Sequence, residues 1–173
     1  MTGRRDVPLP ATAADIARVA ADIHAASWKV AYRGLFPDHY LDHEIDAERR
    51  QYWRKRVPQL FAGEGEIFLA TIAGRTAGFL CIEVGEEREW GAYVDNLHVL
   101  PHLRGANIGG ALLARGAAWA RAHGQRQLYL WVFERNHAAR RFYLRQGWRV
   151  AQRRLDPIPG GGRRMVLRLV KRL

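Results

Sequence analysis

The stretch Leu97-His-Val-Leu-Pro-His-Leu-Arg-Gly-Ala-Asn-Ile-Gly-Gly-Ala-Leu-Leu113 decides how this chain folds. It reads as the end of a β-strand, a tight turn of small residues and the opening of a helix, with Pro101 marking a strand that has already ended. Arg104, Gly105, Ala106, Asn107, Ile108, Gly109 and Gly110 offer a row of backbone N–H groups with little side chain in the way. Such a row at the positive end of a helix cradles an anion, and the usual anion is a phosphate or pyrophosphate. The spacing matches neither a Walker A loop nor a dinucleotide-binding fingerprint.

A second block follows at a fixed distance. Leu128-Tyr-Leu-Trp-Val-Phe133 is apolar and β-prone, and Glu134-Arg-Asn-His-Ala-Ala-Arg-Arg-Phe-Tyr143-Leu-Arg-Gln-Gly147-Trp148 continues from it. One glycine-rich turn is weak evidence, because turns need glycine for backbone reasons alone. The two blocks together, roughly residues 90 to 150, resemble the two signatures of the GCN5-related N-acetyltransferase (GNAT) family. The first is an Arg/Gln-x-x-Gly-x-Gly/Ala turn, with Arg104 and Gly109 in register and Asn107 where the family has its middle glycine. In the second, Asn136, Ala139, Phe142-Tyr143 and Gly147-Trp148 stand at the family's intervals. Asparagine tolerates a left-handed backbone better than most residues, so the turn is expected to form around Asn107.

The resemblance implies an α/β (α+β mixed) fold: a single central mixed sheet of about seven strands, splayed in the middle and flanked by about four helices. Residues 1 to 173 are expected to form one domain. It implies acetyl-CoA (coenzyme A) as the cofactor and an N-acetyl transfer to a primary amine of a small molecule. A peptide or protein amine as acceptor, and a non-catalytic CoA-binding module, are the alternative readings. Backbone groups of Leu97, His98 and Val99 would hold the pantetheine arm as an added strand, and Arg104 to Gly110 would hold the pyrophosphate. Arg104 would bind with its side chain, or mainly by its backbone N–H with the guanidinium lying in solvent. Asn136 would touch the cofactor while capping the helix after it, a role asparagine suits on its own physics. Tyr143 matches the family's general acid, which protonates the leaving thiolate.

The chemistry also needs a base, because most primary amines are protonated near neutral pH. Asp95 is the first candidate, placed by strand alternation on the same face as Leu97. Glu83, at the end of the preceding strand, is its rival. His98 is a third, because imidazole titrates in the right range, although a bulge is needed to bring it to Asp95's face. On the acceptor side, Trp28 and Tyr32 lie four apart on one helical face. Asp38, Asp42 and Glu44 follow and are candidates to attract a cationic amine, or simply face solvent.

Bulk properties narrow the field further. At 173 residues the chain is long enough for a substantial core. It has no signal-like or membrane-spanning apolar run and is expected to be cytoplasmic, with no membrane partner. The formal charge is +11, but only Lys29, Lys55 and Lys171 among the 28 basic residues are lysine, leaving 25 arginines spread along the chain. A basic pI alone is a weak nucleic-acid footprint, and no nucleic-acid partner is expected. The one cysteine, Cys81, reads as core, and no metal site is expected.

Periodicity supplies the remaining elements. A short strand is predicted near Arg5 to Leu9. A helix capped by Thr12 and Asp15 runs to about Tyr32, and another from Asp46 to about Phe61. A hairpin turns at Ala73-Gly74-Arg75, Trp90 to Val99 is the central strand, and helices run from Gly109 to His123 and from His137 to Gln146. Trp148 to Arg153 and Arg164 to Val170 close the sheet. The run from Met165 to Val170 is either an internal strand or an edge that pairs two copies, so monomer and homodimer both stay open.

Overall fold

The computed structural model describes residues 12–63 and 65–173, so the strand expected near Arg5 to Leu9 lies outside the described residues. Helix α1, Ala13–Ala31, begins at Thr12, whose hydroxyl oxygen accepts the Asp15 N–H at 3.1 Å. The Asp15 carboxylate takes the Thr12 hydroxyl proton at 2.7 Å, closing the cap side chain to side chain. Helix α2, Ile45–Ala62, follows a single π-type turn at Tyr40–Glu44. Ala17, Ala20, Ile23, Trp53, Val57 and Leu60 join the two helices to one face of the sheet through Ile67, Phe79 and Cys81, so the cysteine is core as expected.

Strands β1 (Gly65–Ile72) and β2 (Arg75–Glu83) form the hairpin, turning through Ala73 and Gly74 with positive φ at both. Such a two-residue turn matches the twist of the strands it joins. β3 (Ala92–Val99) leads through the small-residue turn into α3 (Ile108–Ala122). β4 (Gln127–Phe133), α4 (His137–Arg145), β5 (Arg149–Pro157) and β6 (Arg163–Arg172) complete the chain. The described residues build one six-stranded sheet in the order β1-β2-β3-β4-β6-β5, one strand fewer than expected. Residues of α3 and α4 cover the face opposite α1 and α2, packing Leu112, Leu113 and Tyr143 on Leu80, Val94, Leu130 and Leu169.

β6 bonds to β4 on one side and β5 on the other, so Met165 to Val170 is an internal strand without a free edge for a second copy. The outer strand on this side of the sheet is β5, where Arg149, Arg153 and Arg154 lie exposed. Charged side chains on an edge oppose strand-to-strand association. No helix among the described residues is long and apolar enough to cross a membrane.

Two backbone features position the site. β3 and β4 run parallel but pair only at Ala92 with Leu128 and Tyr93 with Tyr129, and diverge beyond that point. Gly91 closes the root of this gap: its φ is +87°, and a Cβ there would lie 2.0 Å from the Gln127 carbonyl oxygen. Only glycine admits that approach. Gly91 also shortens the central strand expected from Trp90, because Arg88–Trp90 forms a 3-10 turn before it. The second feature is a bulge between β2 and β3: Cys81 pairs with Asn96 and Ile82 with Val94, which leaves Asp95 as the extra residue.

Candidate active site

The turn after β3 has the geometry to receive an anion. The first helical hydrogen bond of α3 runs from the Ala111 N–H to the Asn107 carbonyl at 3.0 Å. No bond from the backbone N–H groups of residues 105 to 110 is formed among the described residues. Gly105 (φ +93°) and Asn107 (φ 57°) both adopt positive φ, which turns successive N–H groups toward one side. Asn107 thus adopts the left-handed conformation that a glycine would otherwise supply at this turn. Its side chain folds back along the turn: the carboxamide oxygen lies over Gly110, 2.4 Å from where a Cβ would stand. Gly109 faces α4 instead, with the Phe142 ring 3.1 Å from its would-be Cβ.

The bulge reverses the expected facing of β3. Leu97 packs with the core under α3, whereas Asp95 points to the opposite face and meets α2. Alternation fails because the unpaired extra residue shifts the side-chain parity by one. Asp95 Oδ2 accepts from Tyr52 Oη and Arg56 Nε, each at 3.2 Å, and lies 3.9 Å from the Cys81 sulfur. Arg56 also donates to Glu83 Oε1 at 2.7 Å. One guanidinium thus holds both carboxylates, and the contacts leave Asp95 Oδ1 and Glu83 Oε2 for other partners. Tyr52 and Arg56 were missed as site residues. Their i, i+4 spacing is visible in the sequence, but nothing there ties that helix face to β3.

His98 shares Asp95's face because of the same bulge, yet it is enclosed in a buried polar knot. Its Nε2 lies 3.3 Å from Asn96 Oδ1, and its Nδ1 lies 3.2 Å from Ser27 Oγ. A carbonyl oxygen only accepts, so the network assigns the proton to Nε2 and makes Nδ1 the acceptor of the Ser27 hydroxyl. The ring stacks on His24 at 4.2 Å, and His24 Nδ1 in turn accepts from Trp53 Nε1 at 3.1 Å. Burial, with Arg104 and Arg49 adding to it, pushes His98 down to about 3. A group held so far below neutral is a weak base, which counts against His98 relative to the two carboxylates. Arg104 is an exposed residue whose Nη2 donates to Ser27 Oγ at 3.0 Å.

Asn136 caps α4 as expected, with Oδ1 accepting from the Ala139 N–H at 3.1 Å. Tyr143 is buried one face away, edge-on to Phe142 and Trp148 at 5.2 and 5.6 Å, and burial raises its phenol well above the ordinary value. Tyr32, read as an acceptor-side residue, reaches further than expected. Its ring stacks on Phe36 at 4.8 Å and meets Phe133 of β4 edge-on at 5.3 Å, and burial pushes its phenol up to about 12. Trp28 meets Tyr32 edge-on at 5.0 Å and lies under the Arg49 guanidinium at the same distance. The acids downstream are already paired. Arg33 binds Asp42 and also Asp38, the latter at 3.1 Å, while Glu44 lies 3.6 Å from His39.

Beside the root of the gap, an open depression of about 700 Å³ is lined by Arg56, Glu83, Glu86, Glu87, Tyr93 and Tyr129, among others. Tyr93 and Tyr129, the last paired rung before β3 and β4 part, stack at 4.9 Å. No group of three or more metal-ligating side chains is found among the described residues.

Comparison with known proteins converges on one family. The model of the acetyltransferase (GNAT) family matches residues 26–148. An uncharacterised N-acetyltransferase of Archaeoglobus fulgidus is 29% identical over 69% of this chain and 80% of its own length. The aminoglycoside N(6')-acetyltransferase type 1 of Stenotrophomonas maltophilia is 31% identical over 64% of this chain and 71% of its own. In three dimensions, an N-acetyltransferase of Thermoplasma acidophilum crystallised with coenzyme A superposes with a TM-score of 0.74 at 16% identity, covering 98% of this chain and 97% of that one.

Proposed function

This chain belongs to the acetyltransferase (GNAT) family and is an acetyl-CoA-dependent N-acyltransferase, and from that premise we propose that it acetylates the primary amine of a small molecule. The observation that carries the reading is the row of unpaired N–H groups from residue 105 to 110, set at the mouth of a gap between two parallel strands. Acetyl-CoA supplies the activated acyl group and a thiolate that leaves readily. The N–H row holds the pyrophosphate at the head of α3. The edge of β3 that faces β4 makes no ladder bonds past Tyr93, so Leu97, His98 and Val99 offer backbone groups to the pantetheine amides.

The base works from the α2 side. Asp95, with Oδ2 committed to Tyr52 and Arg56, takes the amine proton on Oδ1, directly or through one water. Glu83 sits on the other arm of Arg56 and supports the same charge distribution. Tyr143 holds the proton destined for the sulfur. The acceptor is read as small because the depression beside Glu83 has the volume of an ordinary small-molecule site, about 300 to 1,000 Å³.

Isothermal titration with acetyl-CoA tests the cradle, comparing wild type with Ala106→Asp. Ala106 is exposed and adopts no positive φ, so the variant keeps the turn while adding a negative charge to it. Binding in wild type that weakens at least about tenfold in the variant supports the reading, since like charge at this range opposes an anion. A folded wild type that does not bind acetyl-CoA, or a variant that binds equally well, overturns it.

A further inference from the structure

Strand register lines up three side chains across the middle of the sheet. Glu83 of β2 pairs with Tyr93 of β3, and Tyr93 pairs with Tyr129 of β4. Direct partners send their side chains to one face, about 4.8 Å apart from strand to strand, so a carboxylate and two phenols stand in a row. All three line the open depression of about 700 Å³ beside the root of the gap. Tyr129 covers one face of the Tyr93 ring in a stack at 4.9 Å, and the Arg168 guanidinium lies 5.4 Å from the Tyr129 ring. The other face of Tyr93 therefore turns toward β2 and Glu83. Glu83 is aimed as well. Arg56 Nη2 holds its Oε1 at 2.7 Å and reaches Asp95 Oδ2 at 3.2 Å, so one nitrogen sets the two carboxylates side by side. A single guanidinium balances one of these two charges, and a negative charge is left at this corner of the depression. Of the other charged residues lining it, Glu87 is bound to Arg168, while Glu86 and Arg88 lie exposed with opposite signs. A half-buried carboxylate beside an aromatic face is the pairing that receives an ammonium ion.

We propose that Glu83 and Tyr93 receive the acceptor as a primary ammonium ion, with Glu83 Oε2 taking one N–H and the free face of Tyr93 lying against the cation. The inference rests on the small-amine reading above and divides the work within it: Glu83 binds and Asp95 deprotonates. The ammonium held by Glu83 stands next to Asp95, because both carboxylates hang on Arg56 Nη2. One ammonium N–H bond breaks with its electron pair left on nitrogen, and an O–H bond forms at Asp95 Oδ1. The neutral amine that remains is the nucleophile. Capture of this kind selects acceptors by charge. An alcohol of the same shape brings no cation to Tyr93 and no ion pair to Glu83.

The test uses the protein loaded with CoA, which permits binding of an acceptor without turnover. Phenethylamine and 2-phenylethanol, alike in shape and different in charge, are titrated by ligand-observed NMR into wild type, Glu83→Gln and Tyr93→Leu. Glutamine keeps an oxygen for Arg56 and removes the charge. Wild type is expected to bind the ammonium at least about tenfold tighter than the alcohol, the scale of one hydrogen bond to a charged group. That preference is expected to shrink in Tyr93→Leu and to fall within about threefold in Glu83→Gln, with CoA affinity within about threefold of wild type in both. In thiol release from acetyl-CoA, Glu83→Gln is expected to raise the KM for phenethylamine at least about tenfold and to lower kcat less than that. Wild type that binds the two probes alike, or binds neither, overturns the proposal, and this arm needs no variant to fold. A Glu83→Gln protein that keeps the preference, or that loses kcat with KM unchanged, overturns it too. Thiol release with a peptide amine and with no small amine overturns the small-amine reading instead. Failure of wild type to bind CoA overturns the transferase reading itself, a result distinct from all of these.

Discussion

Arg104 Nη2 donates to Ser27 Oγ at 3.0 Å, tying the first residue of the anion cradle to helix α1, 77 residues earlier in the chain. The bond continues inward, because the same Ser27 hydroxyl serves His98 Nδ1 on the central strand. The turn before α3, helix α1 and the strand β3 are therefore one polar unit. Burial of part of the guanidinium draws Arg104 below its usual value, a cost the Ser27 bond offsets.

Ser27→Ala removes the only side-chain donor recorded for His98 Nδ1 and one acceptor of Arg104. An unsatisfied buried acceptor costs about 1 to 3 kcal/mol. Chemical denaturation is expected to show a loss of that size, with the m-value unchanged.

Stability is expected to fall on mild acidification. The folded chain keeps His98 neutral down to about 3 and His24 neutral well below its ordinary value, burial being the main cause in both. The unfolded chain protonates both near pH 6.5. Between these limits the unfolded state binds more protons, so stability present above 6.5 is lost as pH drops toward 3. At pH 4.5 the His98 contribution alone is on the order of 2 kcal/mol. Urea midpoints at pH 7.5 and 4.5 measure it, and His98→Gln is expected to show a smaller drop than wild type.

Asp95→Asn is expected to lower kcat about a hundredfold at unchanged acetyl-CoA affinity, the usual scale for losing a general base. Glu83→Gln, whose carboxylate shares Arg56 but not Tyr52, is expected to lose less than tenfold. Equal losses in the two variants, measured by thiol release at saturating acetyl-CoA, count against Asp95 as the base.

The cradle makes a double-variant prediction. Asn107 occupies the left-handed region, where a β-branched residue costs about 1 to 2 kcal/mol, so Asn107→Val is expected to weaken acetyl-CoA binding about tenfold. Gly110→Ala meets the Asn107 carboxamide oxygen at 2.4 Å and is expected to weaken binding as well. In an Asn107→Gly background that obstacle is gone, and Gly110→Ala is expected to be nearly silent.

Much of this architecture is legible along the chain. Thr12 as a cap, the hairpin at Ala73-Gly74, Asn136 ahead of α4 and the glycine-rich run before α3 all act through neighbours a few residues away. The small-residue turn and the Asn136 block also mark the family, since both keep their spacing from Arg104 to Trp148. What was misread depends on contacts between distant segments. Asp95 and Leu97 look like same-face neighbours until β2 pairs with β3 and the bulge intervenes. The Arg104 side chain has no partner within its own stretch of sequence until α1 brings Ser27 to it. Asp38 and Asp42 look free until Arg33 folds onto both.

The sequence by itself determined where the chain turns, which segments are helix or strand, and that a row of N–H groups stands ready for an anion. These follow from backbone preference and local hydrogen bonding, which depend on residues close in the chain. Only the tertiary structure decided which face Asp95 and His98 occupy, that Arg56 holds both carboxylates, and that Tyr32 of α1 meets Phe133 at the end of β4. The physical reason is that side-chain parity, burial and charge pairing are set by strand register and helix packing. Those are properties of segments brought together across the sheet and absent from any single stretch of it.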